Sequence, residues 1–413
     1  MTKYISFLKD PSARLMFAIF VANIFYDDPT LYLYKRIGYS ICIYFAMYEI
    51  GKFYITNYTN PLSFRLPIFY NVYLPILGIF VAIALSMDIV NPNLKWITLL
   101  NNPFALLSVC PILLVMIGAN TDDLDEILNV LFFSVFTFTI VASLPIFGRV
   151  KYYQGYICAN AFIPIFIITQ HKKKYVVIGI LLLLVGLYFS NLSDYRIIAL
   201  RILLFSSLLV GLTIFRKFGL FKLLILSFCC FGLYQFIANL EDLLSLFKQI
   251  TGVSSFDDDD TRGFLWSEVF GELQGKEYIF GRGFLGTYFS EYFLMILIHY
   301  QTFADHYERF SVEVGFLELL LKGGFLWYLL FITPILIASL KGIFWYYRDK
   351  LIFSISIFLF TELLLMFIEN IPYFGFQFSI IFFLAGFIIR KMHDIKKREN
   401  AIRQLARKKQ TIG

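Results

Sequence analysis

Arginines beside aromatic or polar residues are the first candidates for chemistry in this sequence. Arg196 ends the polar segment of SNLSDYRIIALR, and Arg201 lies five residues further along the same apolar run. Arg262 opens TRGFLWSEVF, and Trp266 follows four residues later, which places both on one face of a helix. A guanidinium is always charged and its planar fork fits phosphate oxygens, so these residues could bind a phosphorylated ligand. The alternatives are that Arg196 snorkels to a membrane surface and that Arg262 balances the run Asp257–Asp260.

A histidine and a carboxylate form a second group of candidates. His306 lies in ADHYERFSVEVGFLELLLKGG, and Glu313 follows it by seven residues, close to two turns if the segment is helical. An imidazole suits a general base near neutrality, and a carboxylate can orient it. The alternatives are a structural histidine and an acidic residue favoured by the dipole at a helix start. Arg282 belongs to the Gly-rich turn GRGFLG, which follows no βαβ pattern and is therefore no dinucleotide fingerprint.

The sequence predicts no metal site and no cofactor. The five cysteines lie in apolar runs, without CxxC spacing or a nearby histidine. The run Asp257–Asp260 lacks the Gly and the terminal Glu of a calcium-binding loop, so solvation and helix capping are the better interpretation. The net charge of +7 requires no nucleic acid partner. From Arg390 onward the tail carries nine Lys and Arg against one Asp and one Glu, as cytoplasmic ends of membrane proteins do.

The composition places these candidates in a membrane protein. The chain is 59% hydrophobic and 16% charged, whereas soluble domains are about 45–50% apolar and about 25% charged. Twelve apolar runs approach the roughly 20 residues that a membrane-spanning helix needs. They lie at about 13–26, 37–55, 67–87, 97–118, 127–147, 153–170, 174–190, 196–215, 219–240, 312–340, 351–370 and 372–390.

The predicted fold is an all-α integral membrane protein with about 12 transmembrane helices and one large periplasmic loop of short helices between spans 9 and 10. Residues 1–240 hold the first nine spans, 241–311 the loop domain, 312–390 the last three spans and 391–413 a basic cytoplasmic tail. Glu318 and Lys322 have the spacing of a structural ion pair on the tenth span.

The basic segments predict the orientation in the membrane. Alternating spans from a cytoplasmic N-terminus place 171–174, 215–222, 341–350 and the tail inside, where basic residues are enriched. The same alternation places the loop 241–311 outside. The prediction is a multi-pass protein of a bacterial inner membrane with both termini in the cytoplasm.

Four features, taken together, resemble a known family. They are an Arg after a Ser-containing loop at the start of a span (SDYR, Arg196), an Arg–aromatic helix early in the large loop (TRGFLW, Arg262), the turn GRGFLG, and a His followed by an E-x-G at the start of a span (His306, Glu313, Gly315). Their order, spacing and sidedness over roughly residues 190–340 are similar to the O-antigen polymerase and O-antigen ligase superfamily of polytopic membrane glycosyltransferases. The segment YERFSV departs from the Asn and Leu-rich residues that often follow the histidine in that family.

The resemblance implies a metal-independent glycosyl transfer at a periplasmic active site. A sugar hydroxyl of the acceptor attacks the anomeric carbon of an undecaprenyl-diphosphate-linked oligosaccharide, and the lipid diphosphate leaves. His306 would be the catalytic base, and Arg196 and Arg262 would bind the diphosphate. Further candidates for substrate binding are Arg201, Arg282, Trp266 and Glu313. The partners expected are the lipid-linked oligosaccharide, membrane lipid and a chain-length regulator.

The acceptor distinguishes two enzymes within this class. A polymerase uses another lipid-linked repeat unit, whereas a ligase uses lipid A–core, whose phosphates call for several basic residues. The loop 241–311 is net acidic, which favours the polymerase. A flippase or similar transporter for lipid-linked oligosaccharide is the alternative of another class. It predicts charges at the membrane midplane and paired broken helices, whereas the charges here gather near the outer edge.

Overall fold

The computed structural model describes a mostly α-helical chain. It covers residues 10–26, 110–143 apart from 123, 161–170, 176–192, 196–238, 262–291, 294, 308–309, 311–369 and 376–412, with parts of 41–55 and 75–83. The helices with described bounds are α1 (Pro11–Tyr26), α2 (Cys110–Asn120), α3 (Asp125–Ser143), α4 (Val176–Leu192), α5 (Arg196–Ile214), α6 (Gly219–Ala238), α7 (Arg262–Glu272), α8 (Glu277–Phe280), α9 (Gly315–Trp345), α10 (Lys350–Leu365) and α11 (Phe376–Ile412). Residues 161–169 are also helical. Two short strands, β1 (Tyr288–Phe289) and β2 (Glu308–Arg309), pair antiparallel.

Two of the described helices are long and apolar enough to cross a membrane. They are Ile197–Ile214, within α5, and Gly315–Trp345, which is α9. Shorter apolar helices are Pro11–Val21, Val177–Tyr188 and Gly219–Gly232. The expectation of an all-α fold is confirmed for this part of the chain, apart from the two short strands. The predicted number of about 12 spans stays a prediction.

The long helix α11 packs against α2 and α9. Gly118 of α2 and Gly386 of α11 allow a close approach, because a Cβ at either position would clash with a backbone carbonyl of the other helix. On another face of α11, Phe378 and Phe382 contact Phe331 of α9, with ring centroids 5.6 and 4.9 Å apart. The apolar part of α11 is therefore enclosed by other helices.

One end of the helix bundle gathers basic side chains, and we call it the basic end. Lys222 of α6 donates a hydrogen bond of 2.8 Å to the carbonyl of Ile343 near the end of α9. Arg390 of α11 contacts Asp122, just after α2, at 2.7 Å. Other basic residues at this end are Arg216, Lys217, Lys341, Arg348, Lys350, Lys391 and Lys396.

The opposite end carries residues 262–291, 308–309 and 311–314, and we call it the loop end. Here α9 begins beside the residues that follow α10, since the backbone N–H of Gly315 donates to the carbonyl of Glu369 at 2.9 Å. The helix α7 packs on this junction through an apolar face. The buried core that it forms there consists of Leu265, Val269, Leu273, Tyr288, Val312, Val314, Phe316, Leu317, Leu320 and Leu321.

Candidate functional site at the loop end

Arg196 and Arg262 are each the first residue of a helix at the loop end. Arg196 begins α5 and Arg262 begins α7. The side chains of both residues lie outside the described part of the structure, as do all of His306 and the run Asp257–Asp260. The predicted diphosphate contacts and the predicted base therefore stay predictions. The contacts of neighbouring residues show where the first turns of α5 and α7 lie.

Trp266 attaches α7 to α9 and to the residues that follow α10. Its ring stacks on Phe316 of α9, with centroids 5.2 Å apart, and on Phe367 after α10, with centroids 6.4 Å apart. Phe270 stacks on a further side of the indole at 6.1 Å. The indole is partly buried among protein rings. Because Trp266 lies one turn after Arg262, this stacking places the start of α7 beside the start of α9.

Arg201 is buried and bound to two carboxylates. Its Nε lies 3.2 Å from Oε1 of Glu362 on α10, and its Nη2 contacts the carboxylate of Glu369. Gln377 of α11 donates a hydrogen bond of 2.9 Å to Glu362. We call Arg201, Glu362 and Glu369 the buried ion cluster. It joins the first turns of α5 to the end of α10 and the residues after it, so the start of α5 is fixed next to the start of α9.

The two glutamates of this cluster were missed by sequence reasoning, although the sequence contains a signal for them. Glu362 and Glu369 are seven residues apart in the apolar segment FTELLLMFIEN, hence on one face of a helix. Carboxylates in a membrane helix are costly and pair with other groups. Arg201 also lies inside an apolar run, so it is the cation that the sequence offers as their partner.

The Gly-rich turn docks on a break in α9. Gly281 has φ +68° and Gly324 has φ +67°, values that side-chain-bearing residues rarely adopt. A Cβ on Gly281 would clash with the backbone at Lys322, and one on Gly324 would clash with the carbonyl of Ile279. At the break, the N–H of Arg282 donates to the carbonyl of Leu321 at 2.8 Å, and so replaces a helical hydrogen bond that is lost there.

The side chain of Arg282 is engaged within the loop. Its Nη1 contacts Glu272 at 2.7 Å and the carbonyl of Thr287 at 3.0 Å, and its Nε contacts Glu277 at 3.2 Å. Burial lowers the pKa of Arg282, but hydrogen bonds to Glu272 and Glu277 outweigh it and leave the pKa raised. The described contacts of Arg282 thus hold α7, α8 and the turn together.

Glu318 and Lys322 bind the loop backbone as well as each other. Their charged atoms lie 4.0 Å apart, and both side chains are buried. Glu318 accepts a hydrogen bond of 2.7 Å from the N–H of Val312, and Lys322 donates one of 2.6 Å to the carbonyl of Gly286. The Gly-rich turn and the residues just before α9 are therefore both tied to one helical turn of α9.

Glu313 lies on the surface of the loop end. Its side chain is 57% exposed and accepts a hydrogen bond of 3.0 Å from Arg309. Because α9 begins at Gly315 and residues 308–309 form a strand, helical spacing does not relate Glu313 to His306. Arg309 instead pairs with Tyr288, so the ladder brings the chain before α9 alongside the Gly-rich turn.

Tyr288 is the fully buried residue of this ladder. Burial raises its pKa to about 12, and the nearby Arg309 lowers it only in part. Within the part of the chain that the structure describes, its hydroxyl has no hydrogen-bond partner.

The described fold and site define a mostly α-helical protein with helices suited to a membrane and a small, tightly connected loop region at one end of its bundle. No protein-family model, curated protein or solved structure matches this chain.

Proposed function

We propose that this protein is a metal-independent membrane glycosyltransferase of the O-antigen polymerase type. It transfers glycan from an undecaprenyl diphosphate donor to a sugar hydroxyl of a lipid-linked repeat unit. The reaction takes place on the periplasmic face of a bacterial inner membrane. The sequence resemblance over residues 190–340 suggested this class.

The observation that carries the proposal is the assembly of one end of the bundle. The helix starts that bear Arg196 and Arg262 and the Gly-rich turn are all held against the start of α9. Trp266, the buried ion cluster and the Glu318–Lys322 pair supply the contacts. Arg196 and Arg262 are 66 positions apart in the sequence, yet their elements lie at one end of the bundle, beside a helix long enough to cross a membrane.

The proposed reaction needs cations that bind the diphosphate and a base that accepts the proton of the acceptor hydroxyl. The acceptor oxygen forms a bond to the anomeric carbon while the bond from that carbon to the diphosphate oxygen breaks. Arg196 and Arg262 neutralise the negative charge on the departing lipid diphosphate, and His306 takes the proton of the acceptor hydroxyl. Since lipid diphosphate is already a competent leaving group, the protein has mainly to position and neutralise it.

The other candidate residues receive positioning roles. Arg201, Arg282 and Trp266 contact protein groups in the structure, so we assign them to holding α5, α7 and the Gly-rich turn in place. Glu313 is exposed near the start of α9 and can contact the acceptor. The diphosphate contacts therefore rest on Arg196 and Arg262.

The orientation follows from the distribution of charge between the two ends. The basic end carries basic residues from α6, α9, α10 and α11, and such residues are retained on the cytoplasmic side. The loop end then faces the periplasm, where lipid-linked repeat units are polymerised. The tail from Arg390 onward lies in the cytoplasm.

The test uses purified protein and synthetic repeat units linked to lipid diphosphate, with no lipid A–core. We expect a ladder of products that grows by one repeat. Arg196→Lys and Arg262→Lys keep the charge but lose the fork, and each should remove most activity. His306→Ala should lower turnover by about 10²–10⁴-fold.

Arg216→Lys and His171→Ala are the matched controls and should retain activity. Arg216 is exposed at the basic end, and His171 belongs to a predicted cytoplasmic segment. Near-normal polymer from both Lys variants would contradict diphosphate binding by these arginines. Transfer only after lipid A–core is added would identify a ligase.

A further inference from the structure

An open cavity lies at the basic end, on the side of the bundle remote from the proposed active site. Its volume is about 950 Å³, and it lies between the last turns of α9 and the extension of α11. This size falls in the range of about 300–1,000 Å³ that is usual for ligand sites. We call it the basic groove.

One part of the basic groove is positively charged. Lys341 and Arg348 line it from α9 and the turn that follows, and Lys396 and Arg403 line it from α11. Among the described residues, no carboxylate lies within ion-pair distance of these four side chains. Two carboxylates, Asp349 and Glu399, also line the groove, and that of Asp349 accepts hydrogen bonds of 3.0 and 3.1 Å from the first N–H groups of α10. Four Lys and Arg against these two carboxylates leave the lining with a net positive charge.

The other part of the basic groove is apolar and lies toward the membrane helices. Ile337, Ile389 and Met392 line it there. Trp345, the last residue of α9, also lines the groove and is 69% exposed. Exposed tryptophans at the end of a membrane helix are typical of the membrane–water interface. The lining therefore changes from apolar to cationic along the direction in which a lipid changes from acyl chain to phosphate.

We propose that the basic groove binds an anionic phospholipid. The phosphate and headgroup lie among Lys341, Arg348, Lys396 and Arg403, and the upper acyl chains lie along Ile337 and Ile389. A free phosphate would use only the cationic part, whereas a lipid of the adjoining leaflet uses both parts. This assignment does not depend on the proposed glycosyl transfer.

The test measures lipid binding to the full-length protein. The purified chain is placed in phosphatidylcholine nanodiscs with a graded content of phosphatidylglycerol, and bound lipid is counted by native mass spectrometry after release. We expect retained phosphatidylglycerol in preference to phosphatidylcholine. The triple variant Lys341→Ala, Lys396→Ala, Arg403→Ala should weaken phosphatidylglycerol binding by about 100-fold, since each basic residue near an anionic lipid surface contributes several-fold.

The matched control removes the same number of charges from the same end of the bundle. Arg216→Ala, Lys217→Ala, Lys397→Ala alters three exposed residues that do not line the groove, and binding should change less than about 3-fold. Equal losses in the two triple variants would overturn the groove as a site. Full competition by soluble glycerol phosphate would also overturn it, because it would show that the acyl chains contribute nothing.

The groove variants are checked for folding by size-exclusion chromatography before lipid is measured. If the triple variant does not fold, phosphatidylglycerol binding is measured on the single variant Arg403→Glu instead. Arg403 is exposed on α11, and reversal of its charge, which changes two charge units, should still lower phosphatidylglycerol binding about 20-fold. Unchanged binding in a folded Arg403→Glu protein would count against the groove.

Discussion

The buried ion cluster predicts a large loss of stability for the substitution Arg201→Met. Methionine keeps an unbranched side chain of similar length but removes the charge, so Glu362 and Glu369 are left buried beside each other without their cation. Their side chains are only 2% and 11% exposed, and water cannot replace the guanidinium fully. Removing one partner of a buried ion pair costs about 3–5 kcal/mol. We expect the free energy of unfolding to fall by that amount.

The same reasoning predicts recovery when the carboxylates are neutralised together with the arginine. In the triple variant Arg201→Met, Glu362→Gln, Glu369→Gln, no buried charge remains, and such replacements are often close to neutral. The loss in the triple variant should therefore be much smaller than in Arg201→Met alone. Glu362→Gln alone should cost more than Glu369→Gln alone, because Glu362 is the more buried and also binds Gln377.

The assay is denaturant titration of the purified protein in mixed micelles, followed by tryptophan fluorescence. A substantial coupling energy between Arg201 and the two glutamates would support the cluster. Arg201→Met with an unchanged free energy of unfolding and no polymerising activity would refute the positioning role. It would assign the guanidinium to the donor diphosphate instead.

Gly324→Ala should destabilise the protein by about 2–4 kcal/mol, because Gly324 has φ +67° and ψ −172° and its new Cβ would clash with α8. Gly211→Ala, inside α5 with its Cβ 3.8 Å from the nearest side chain, should be neutral or slightly stabilising in the same unfolding assay. Since burial raises the pKa of Tyr288 from 10.0 to about 12, the folded protein holds that proton more tightly than the unfolded chain. The protonated Tyr288 therefore contributes of the order of 2 kcal/mol to the free energy of unfolding below pH ~10, and this contribution is lost as the pH rises toward ~12. In Tyr288→Phe, the free energy of unfolding measured against pH should no longer show this alkaline loss. In a cysteine-free background, Lys276→Cys should react with a membrane-impermeant thiol reagent in intact spheroplasts and Gln404→Cys only after lysis, and the reverse labelling would contradict the proposed orientation.

The helices could be predicted from the sequence because a segment in lipid must satisfy its backbone hydrogen bonds internally. The apolar run 196–215 corresponds to α5 (Arg196–Ile214), and the run 351–370 corresponds to α10 (Lys350–Leu365). The structure of the tail differs more from the prediction. It was predicted only as a basic cytoplasmic segment, yet α11 continues through it to Ile412, because Lys, Arg, Gln and Ala are good helix formers.

The contacts of the candidate site were less predictable. The pairing of Arg201 with Glu369 joins residues 168 positions apart, and no spacing rule relates such residues. The kink at Gly324 was hidden because Gly323 and Gly324 interrupt an apolar run without changing its hydropathy. Arg282 was noted for its place in a Gly-rich turn, but the turn's docking partner, the carbonyl of Leu321, is a backbone group that no side-chain pattern reveals.

The attachment of the Gly-rich turn to α9 also bears on how the protein is made. The turn is synthesised before α9, so the carbonyl of Gly286 is already present when Lys322 emerges. A lysine and a glutamate near the end of a membrane helix raise the free energy of its insertion. In the proposed orientation the loop is translocated first, and both charges would then meet partners as they arrive at the membrane boundary. The loop would then serve as a template on which the broken helix completes its insertion, and shortening the loop should impair biogenesis before it impairs catalysis.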